Sequence, residues 1–287
     1  NRFIIVDKRT LKGCIMNRMD GKITIVTGGT QGLGAAIALE FARSGAAGIV
    51  TCGRNAEKGA QVAQDIREQT GVPVAFSQAD LSIVDDCRAV VAATDETFGR
   101  VDALVNAAAI TDRGNILDTS PDLFDAMMAV NIRAPFFLAQ ESIKLMIRDE
   151  IEGSILNIGS ASAMTGQPFI AAYCASKGAL ETFTRNTAFA LMRNRIRVNQ
   201  LNIGWMSSDG EDRIQREYHG AKDDWLAKAA AQQPFGRLVD PDEVARAVTF
   251  FSSDDAGLMT GSVIHFDQSV WGGYETGPPV PTAPLSL

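Results

Sequence analysis

The sequence predicts an α/β domain built on a doubly wound sheet of seven parallel strands. Three observations predict it. Short β-branched runs alternate with helix-like stretches from residue 22 onward, the rhythm of βαβ units. A glycine-rich turn, "TGGTQGLG" (27–34), separates the first such run from the first helix. The 287-residue chain shows no composition break and is 46% hydrophobic and 21% charged, a balance that lets one domain bury a substantial core.

Strands are expected at 22–27, 48–52, 73–77, 101–106, 154–159, 196–201 and 262–266. After the first, Leu33, Ile37 and Phe41 recur at helical spacing with Gly45 as the stop, so this helix packs on the sheet. The segment 121–148 opens on Pro121 and Asp122, good first-turn residues, and reads as one long helix to Arg148. Residues 207–233 are polar and carry Trp225; lying between a strand and the next helix, they read as a lid over a site. The folded domain is therefore expected over 19–273, after a leader or extension at 1–18 that receives no role in the fold. Beyond it, 274–287 forms a Pro-rich extended tail.

Composition excludes several function classes. Net charge is −7 with Lys and Arg scattered, unlike the basic stripe that nucleic acid demands. Cys14, Cys52, Cys87 and Cys174 lie far apart without a C-x-x-C pair, which argues against a metal site or disulfide framework and for buried thiols. His219 and His265 are the only histidines, thin material for a Ser-His-Asp hydrolase. No apolar run approaches a membrane span and no signal-peptide core is present near the start, so a cytoplasmic protein is expected.

The glycine turn sets Gly28, Gly32 and Gly34 between strand and helix, where bare backbone approaches a pyrophosphate and the helix N-terminus favours its charge. The spacing G-x-x-x-G-x-G differs from G-x-G-x-x-G, and a plain tight turn is the competing reading. At the end of the second strand, "VTCGRN" (50–55) supplies Arg54 and no acid before Glu57. A guanidinium suits a ribose 2′-phosphate, which favours NADP(H) and leaves NAD(H) possible; an ordinary solvated loop charge is the alternative. Asp80, in "SQADLS" (77–82), can accept from an adenine amino group, cap the next helix, or both.

In "AAYCASKGALETF" (171–183), Tyr173 and Lys177 stand at i and i+4 on one helix face. A phenol titrates near 10. A cation about 4 Å away at an effective dielectric near 20 contributes on the order of 4 kcal/mol, roughly three pKa units before desolvation opposes it. The expectation is a tyrosine brought close to neutrality and able to exchange a proton with a carbonyl or alcohol. Asn131, in "AVNIRAPFF" (129–137), is an unfavourable helix-interior residue, and Pro135 has no N–H for its carbonyl, which is left free for a water.

With these residues the chain resembles the short-chain dehydrogenase/reductase family, in its T-G-x-x-x-G-x-G and Y-x-x-x-K branch, over about residues 20–272. The resemblance implies a Rossmann-like single domain and four catalytic positions. Ser160, thirteen residues before Tyr173 in "GSILNIGSAS" (153–162), would bind the reacting oxygen, with Ser162 as runner-up. Tyr173 would be the general acid/base, Lys177 would hold the nicotinamide ribose and tune the phenol, and Asn131 would relay protons through water. Cofactor contacts are implied for Gly28, Thr30, Gln31, Gly32, Leu33, Gly34, Arg54, Asp80, Leu81, Asn106, Ala107, Ala108, Tyr173, Lys177 and Gly204. No metal is implied.

Three motifs depart from the family pattern. N-N-A-G is here "NAAA" (106–109), P-G is Ile203-Gly204, and D-G-G is replaced within "FDQS" (266–269). None touches the catalytic four. The expected function is hydride transfer between NADP(H) and a secondary alcohol or ketone, with a sugar or polyol among the candidate substrates, by a homotetramer pairing through helices near 121–148 and 174–192. The alternative is a non-catalytic dinucleotide-binding regulator on the same fold. A nucleotide-sugar epimerase or dehydratase ranks last because it would show G-x-x-G-x-x-G. Met164, Phe169, Trp205, Met206 and Trp225 are the expected substrate walls, and Asp209, Glu211 and Asp212 on the lid disfavour an anionic substrate.

Overall fold

In the computed structural model, residues 18–164 and 167–270 are described. The expected tail at 274–287, and the expected leader apart from Arg18, lie outside the described residues. Arg18 itself pairs with Asp255 at 2.7 Å, which ties that boundary to the folded body.

Seven parallel strands form one sheet in the order β3-β2-β1-β4-β5-β6-β7. They are β1 (Ile23–Thr27), β2 (Gly48–Gly53), β3 (Val74–Gln78), β4 (Ala103–Asn106), β5 (Ser154–Ser160), β6 (Arg197–Ile203) and β7 (Val263–Phe266). Between them run α1 (Gly32–Arg43), α2 (Ala56–Thr70), α3 (Val84–Phe98), α4 (Pro121–Met128), α5 (Ala134–Arg148), α6 (Ala171–Leu191), α7 (Asp209–His219), α8 (Trp225–Ala231) and α9 (Pro241–Ser252). Successive strand residues point to opposite faces, so each central strand feeds two cores. Val26, Ile49, Val105 and Leu156 pack with Ile37 and Phe41 of α1 and Val244 and Val248 of α9. Ile25, Val50, Leu104 and Ile155 pack on the other side with Val90, Leu138 and Met146. Each such fully buried side chain contributes roughly 1.5–3 kcal/mol.

The strand order reverses direction between β1 and β4, and in open α/β sheets that switch point opens a crevice at the carboxyl ends of the strands. Here Thr27, the last residue of β1, accepts at its Oγ1 from the amides of Ala107 and Ala108 at 2.9 and 3.0 Å. That bond locks the glycine turn to the start of the β4 loop.

The long helix expected at 121–148 is not continuous. A five-residue π turn, Ala129–Arg133, joins α4 to α5, with the Ala134 amide bonded to the Ala129 carbonyl five residues back. Pro135 cannot donate to Asn131, and a widened turn absorbs the missing bond. The segment 207–233, expected as a lid, holds α7 and α8. Among the described residues, no helix is long and apolar enough to cross a membrane.

Candidate active site

The glycine turn at the mouth of the crevice has the backbone that only glycine supplies without strain. Gly28 and Gly32 lie at φ +72° and +53°, in the left-handed region. A Cβ on Gly34 would lie 2.4 Å from the Gly28 carbonyl oxygen, so the helix must approach the turn bare. The α1 N-cap, Gln31, makes no side-chain cap bond, and the first turn holds no acid. Its amides are therefore open to an anion. Beside the turn, Asn106 donates to Asn157 Oδ1 at 2.8 Å while its own Oδ1 is buried without a hydrogen-bond partner. A bare cradle, uncapped amides and an orphaned acceptor together fit a dinucleotide.

Other expected contacts divide. Arg54 is exposed just beyond β2, next to Gly53, whose absent side chain makes room for Thr30. Asp80 bonds to the amide and hydroxyl of Ser82 at 2.9 and 2.8 Å. Those bonds, assisted less strongly by the charge of Arg54, hold its carboxyl below the usual range. It closes the turn ahead of α3 without capping the helix, whose N-cap is Ile83. The Leu81 side chain is buried in the core. Gly204 donates to the Phe266 carbonyl at 3.1 Å and leaves no room for a side chain against Asp267, so the close β6–β7 approach survives the loss of the P-G and D-G-G motifs. At the altered "NAAA", Ala109 is exposed.

The remaining candidates converge at the carboxyl end of β5. Ser160 ends the strand, is buried, and hydrogen-bonds to Tyr173. Ser162 instead bonds to Gln167 Oε1 at 2.8 Å, which separates the two serines. Lys177 is 3% exposed, donates to the Ile158 carbonyl at 2.8 Å, and holds its Nζ 5.6 Å from the centre of the Tyr173 ring. Asn131 clamps the β4 loop through both its amide atoms, accepting from Ile110 N and donating to Ile110 O at 3.0 Å. It also reaches Ser176 Oγ at 3.2 Å.

The electrostatic expectation needs correction. Burial pushes the Tyr173 phenol up to about 12, against the hydrogen bond from Ser160 and the charge of Arg113. Burial likewise pushes Lys177 down to about 8. Desolvation wins because both charged forms lose water, and the ammonium is directed at a carbonyl rather than at the phenol oxygen. The pair therefore stands at neutral pH as a protonated phenol beside a mostly protonated amine.

Two further charges, Arg113 and Glu211, act on the Tyr173 phenol. Arg113 stacks 5.4 Å over Phe169 and bonds to His219 Nε2 at 3.3 Å; Tyr218 bonds to Asp112 at 3.1 Å, so the end of α7 rests on the β4 loop. Trp205 and Trp225 stack with centroids 6.3 Å apart, their indole nitrogens held by Glu211 and Asp212 at 2.8 and 2.7 Å. Met206 pairs with Val239 as a single parallel bridge. Met164 and Phe169 are exposed. Sequence reasoning did not single out Thr27 or Arg113; a threonine ending a strand ahead of a glycine turn was the available signal for the first. Of the cysteines, Cys52 and Cys87 are buried thiols pushed up to about 12 and about 11, while Cys174 is only half-buried. Among the described residues, no group of His, Cys, Asp or Glu could hold a metal ion.

Comparisons with known proteins agree with the fold. A family model described as Enoyl-(Acyl carrier protein) reductase matches residues 28–273. An uncharacterized oxidoreductase of Thermotoga maritima is 36% identical over 248 residues, 86% of this chain and 96% of the relative. A solved short chain dehydrogenase/reductase family protein superposes with TM-score 0.75 at 33% identity, covering 88% of this chain and 97% of the other. L-Sorbose reductase from Gluconobacter frateurii, solved with NADPH and L-sorbose, gives TM-score 0.82 at 26% identity, covering 89% and 98%.

Proposed function

Because the chain belongs to the short-chain dehydrogenase/reductase family, we propose that it is an NADP(H)-preferring reductase of a hydroxylated ketone, using Ser160, Tyr173, Lys177 and Asn131. It is an NAD(P)-dependent oxidoreductase. The convergence of Ser160, Tyr173 and Lys177 beside the glycine-lined crevice carries the reading.

The nicotinamide supplies or accepts the hydride when bound. Gly28, Gly32 and Gly34 let the backbone and the α1 amides meet a pyrophosphate, flanked by Thr30, Gln31 and Leu33, while Ala107, Ala108 and Gly204 border the crevice. Ser160 holds the substrate carbonyl oxygen. Tyr173, protonated at neutral pH, gives that oxygen its proton as the carbon is reduced. The Lys177 ammonium stabilises the phenolate left behind, which lowers the barrier by placing charge where charge develops. Asn131, fixed by Ile110, supports proton resupply through its main-chain carbonyl.

Arg54 supports NADP(H), since a guanidinium pairs with a 2′-phosphate in charge-assisted bonds. Arg54→Glu is expected to weaken NADPH binding by about 10- to 100-fold, the equivalent of one or two charged hydrogen bonds, and to leave NADH within a few-fold. Titrations followed by nicotinamide fluorescence test this; an unchanged NADPH-to-NADH ratio would contradict it. The stacked Trp205 and Trp225 with the flanking charges Glu211 and Arg113 support a polyhydroxylated substrate such as a sugar or polyol, whose apolar ring face and hydroxyls such groups can meet. The similarity to L-sorbose reductase supports the same class. Exposed Phe124, Phe136 and Phe189 on α4, α5 and α6 support a homotetramer, and a monomer mass by light scattering would refute it.

A further inference from the structure

Beneath the candidate site runs a chain of buried polar side chains that the proposed chemistry does not use. Gln200 and Asn202 share one face of β6, both with no exposed surface. Gln200 Nε2 donates to Asn202 Oδ1 at 2.7 Å, and Asn202 Nδ2 donates to Glu181 Oε1 at 2.8 Å. Behind them the Thr184 hydroxyl lies 3.2 Å from Gln200 Oε1 and accepts from Asn157 Nδ2 at 2.9 Å.

Both ends of this chain meet catalytic positions. Glu181 is one helical turn beyond Lys177 on α6. Gly159, the register partner of Asn202, sits between Ile158, whose carbonyl holds Lys177, and Ser160. A Cβ on Gly159 would lie 1.9 Å from Asn202 Oδ1 and 2.3 Å from Gln200 Nε2, so the two amides press directly on the β5 backbone. Apolar packing tolerates small slides, whereas a satisfied buried polar network admits one arrangement.

We propose that Asn202, with Gln200 and Glu181, is the positioning unit that sets β5 against α6 and thereby holds Ser160 at working distance from Tyr173 and Lys177. Asn202 acts through Gly159 and Glu181 rather than on the reactants. The proposal rests on the catalytic reading above, and its test separates the two.

Asn202→Ala is compared with Asn199→Ala in the full chain. Asn199 is an equally buried amide on the same strand, but it bonds to Met259 O at 2.7 Å and accepts from Ser262 N at 3.0 Å, away from α6. Both variants lower Tm. Only Asn202→Ala is expected to lower kcat, by about 10- to 100-fold, the penalty of small misplacement, with the Kd for NADPH unchanged. Only Asn202→Ala should raise the alkaline limb of the kcat profile, because a loosened seam admits water to Lys177. The same rise should appear in the Lys177 titration followed by NMR without cofactor, a readout that holds even if no substrate is turned over. Equal kcat losses in the two variants, or an unmoved Lys177 titration, would overturn the proposal. Should Asn202→Ala fail to fold, Asn202→Ser serves in the same comparison. A wild-type protein that reduces no carbonyl would instead refute the catalytic reading.

Discussion

Tyr173→Phe is expected to lower turnover by about 10²- to 10⁴-fold, the usual contribution of a positioned general acid, while NADPH affinity and Tm change little. Only the phenol oxygen is removed. The ring keeps its place in α6, with Lys177 Nζ 5.6 Å from its centre, and the turn that receives the cofactor is untouched. The lost hydrogen bond to Ser160 concerns a hydroxyl that also accepts from Ser162 N at 3.1 Å, so Ser160 retains a partner. Steady-state kinetics, NADPH titration and thermal melting check the three parts. Undiminished turnover would rule out Tyr173 as the acid.

Lys177→Met is expected to lower turnover by about 10²- to 10³-fold, the range for removing one preorganised charge-stabilising group, without lowering Tm at neutral pH. Burial takes the folded-state pKa of Lys177 from 10.5 to about 8, a cost on the order of 3 kcal/mol while the amine is charged. The sign follows from proton counting. Between pH 8 and 10.5 the unfolded chain holds a proton that the folded chain has lost, so stability from this group rises with pH across that window and is least below 8. Methionine removes the penalty but leaves the Ile158 carbonyl without its donor, which costs about 1–3 kcal/mol. The two nearly cancel, and Tm is expected to stay level or rise slightly. The same titration makes wild-type carbonyl reduction fall above pH about 8 as the ammonium is lost. A marked fall in Tm, or a flat rate through pH 9, would contradict this electrostatic picture.

What was legible in the sequence was what is local. The seven β-branched runs, the glycine turn and the Tyr173–Lys177 spacing each lie within a few residues, and the sheet they imply is the one observed. The π turn was hidden because Pro135 announces a missing donor without saying where the extra residue enters. The phenol's direction was misjudged because a pairwise Coulomb term carries no information about burial or about where the ammonium points; its aim at Ile158 is a tertiary fact. The Gln200–Asn202–Glu181 bridge joins residues about 20 positions apart, and nothing in "RVNQLNIG" shows which amide faces α6. Arg113 was not legible because its partners are distant in sequence: it stacks on Phe169 and bonds to His219.

Reduction with NADPH carrying deuterium at the transferring carbon, across a panel of sugars, polyol-derived ketones and simple ketones, addresses the hydride reading most directly. The expected result is a product alcohol labelled with one deuterium at its new carbinol carbon, formed by the wild type and nearly absent with Tyr173→Phe. NADPH binding with no labelled product from any carbonyl would contradict it and leave a dinucleotide-binding regulator in its place.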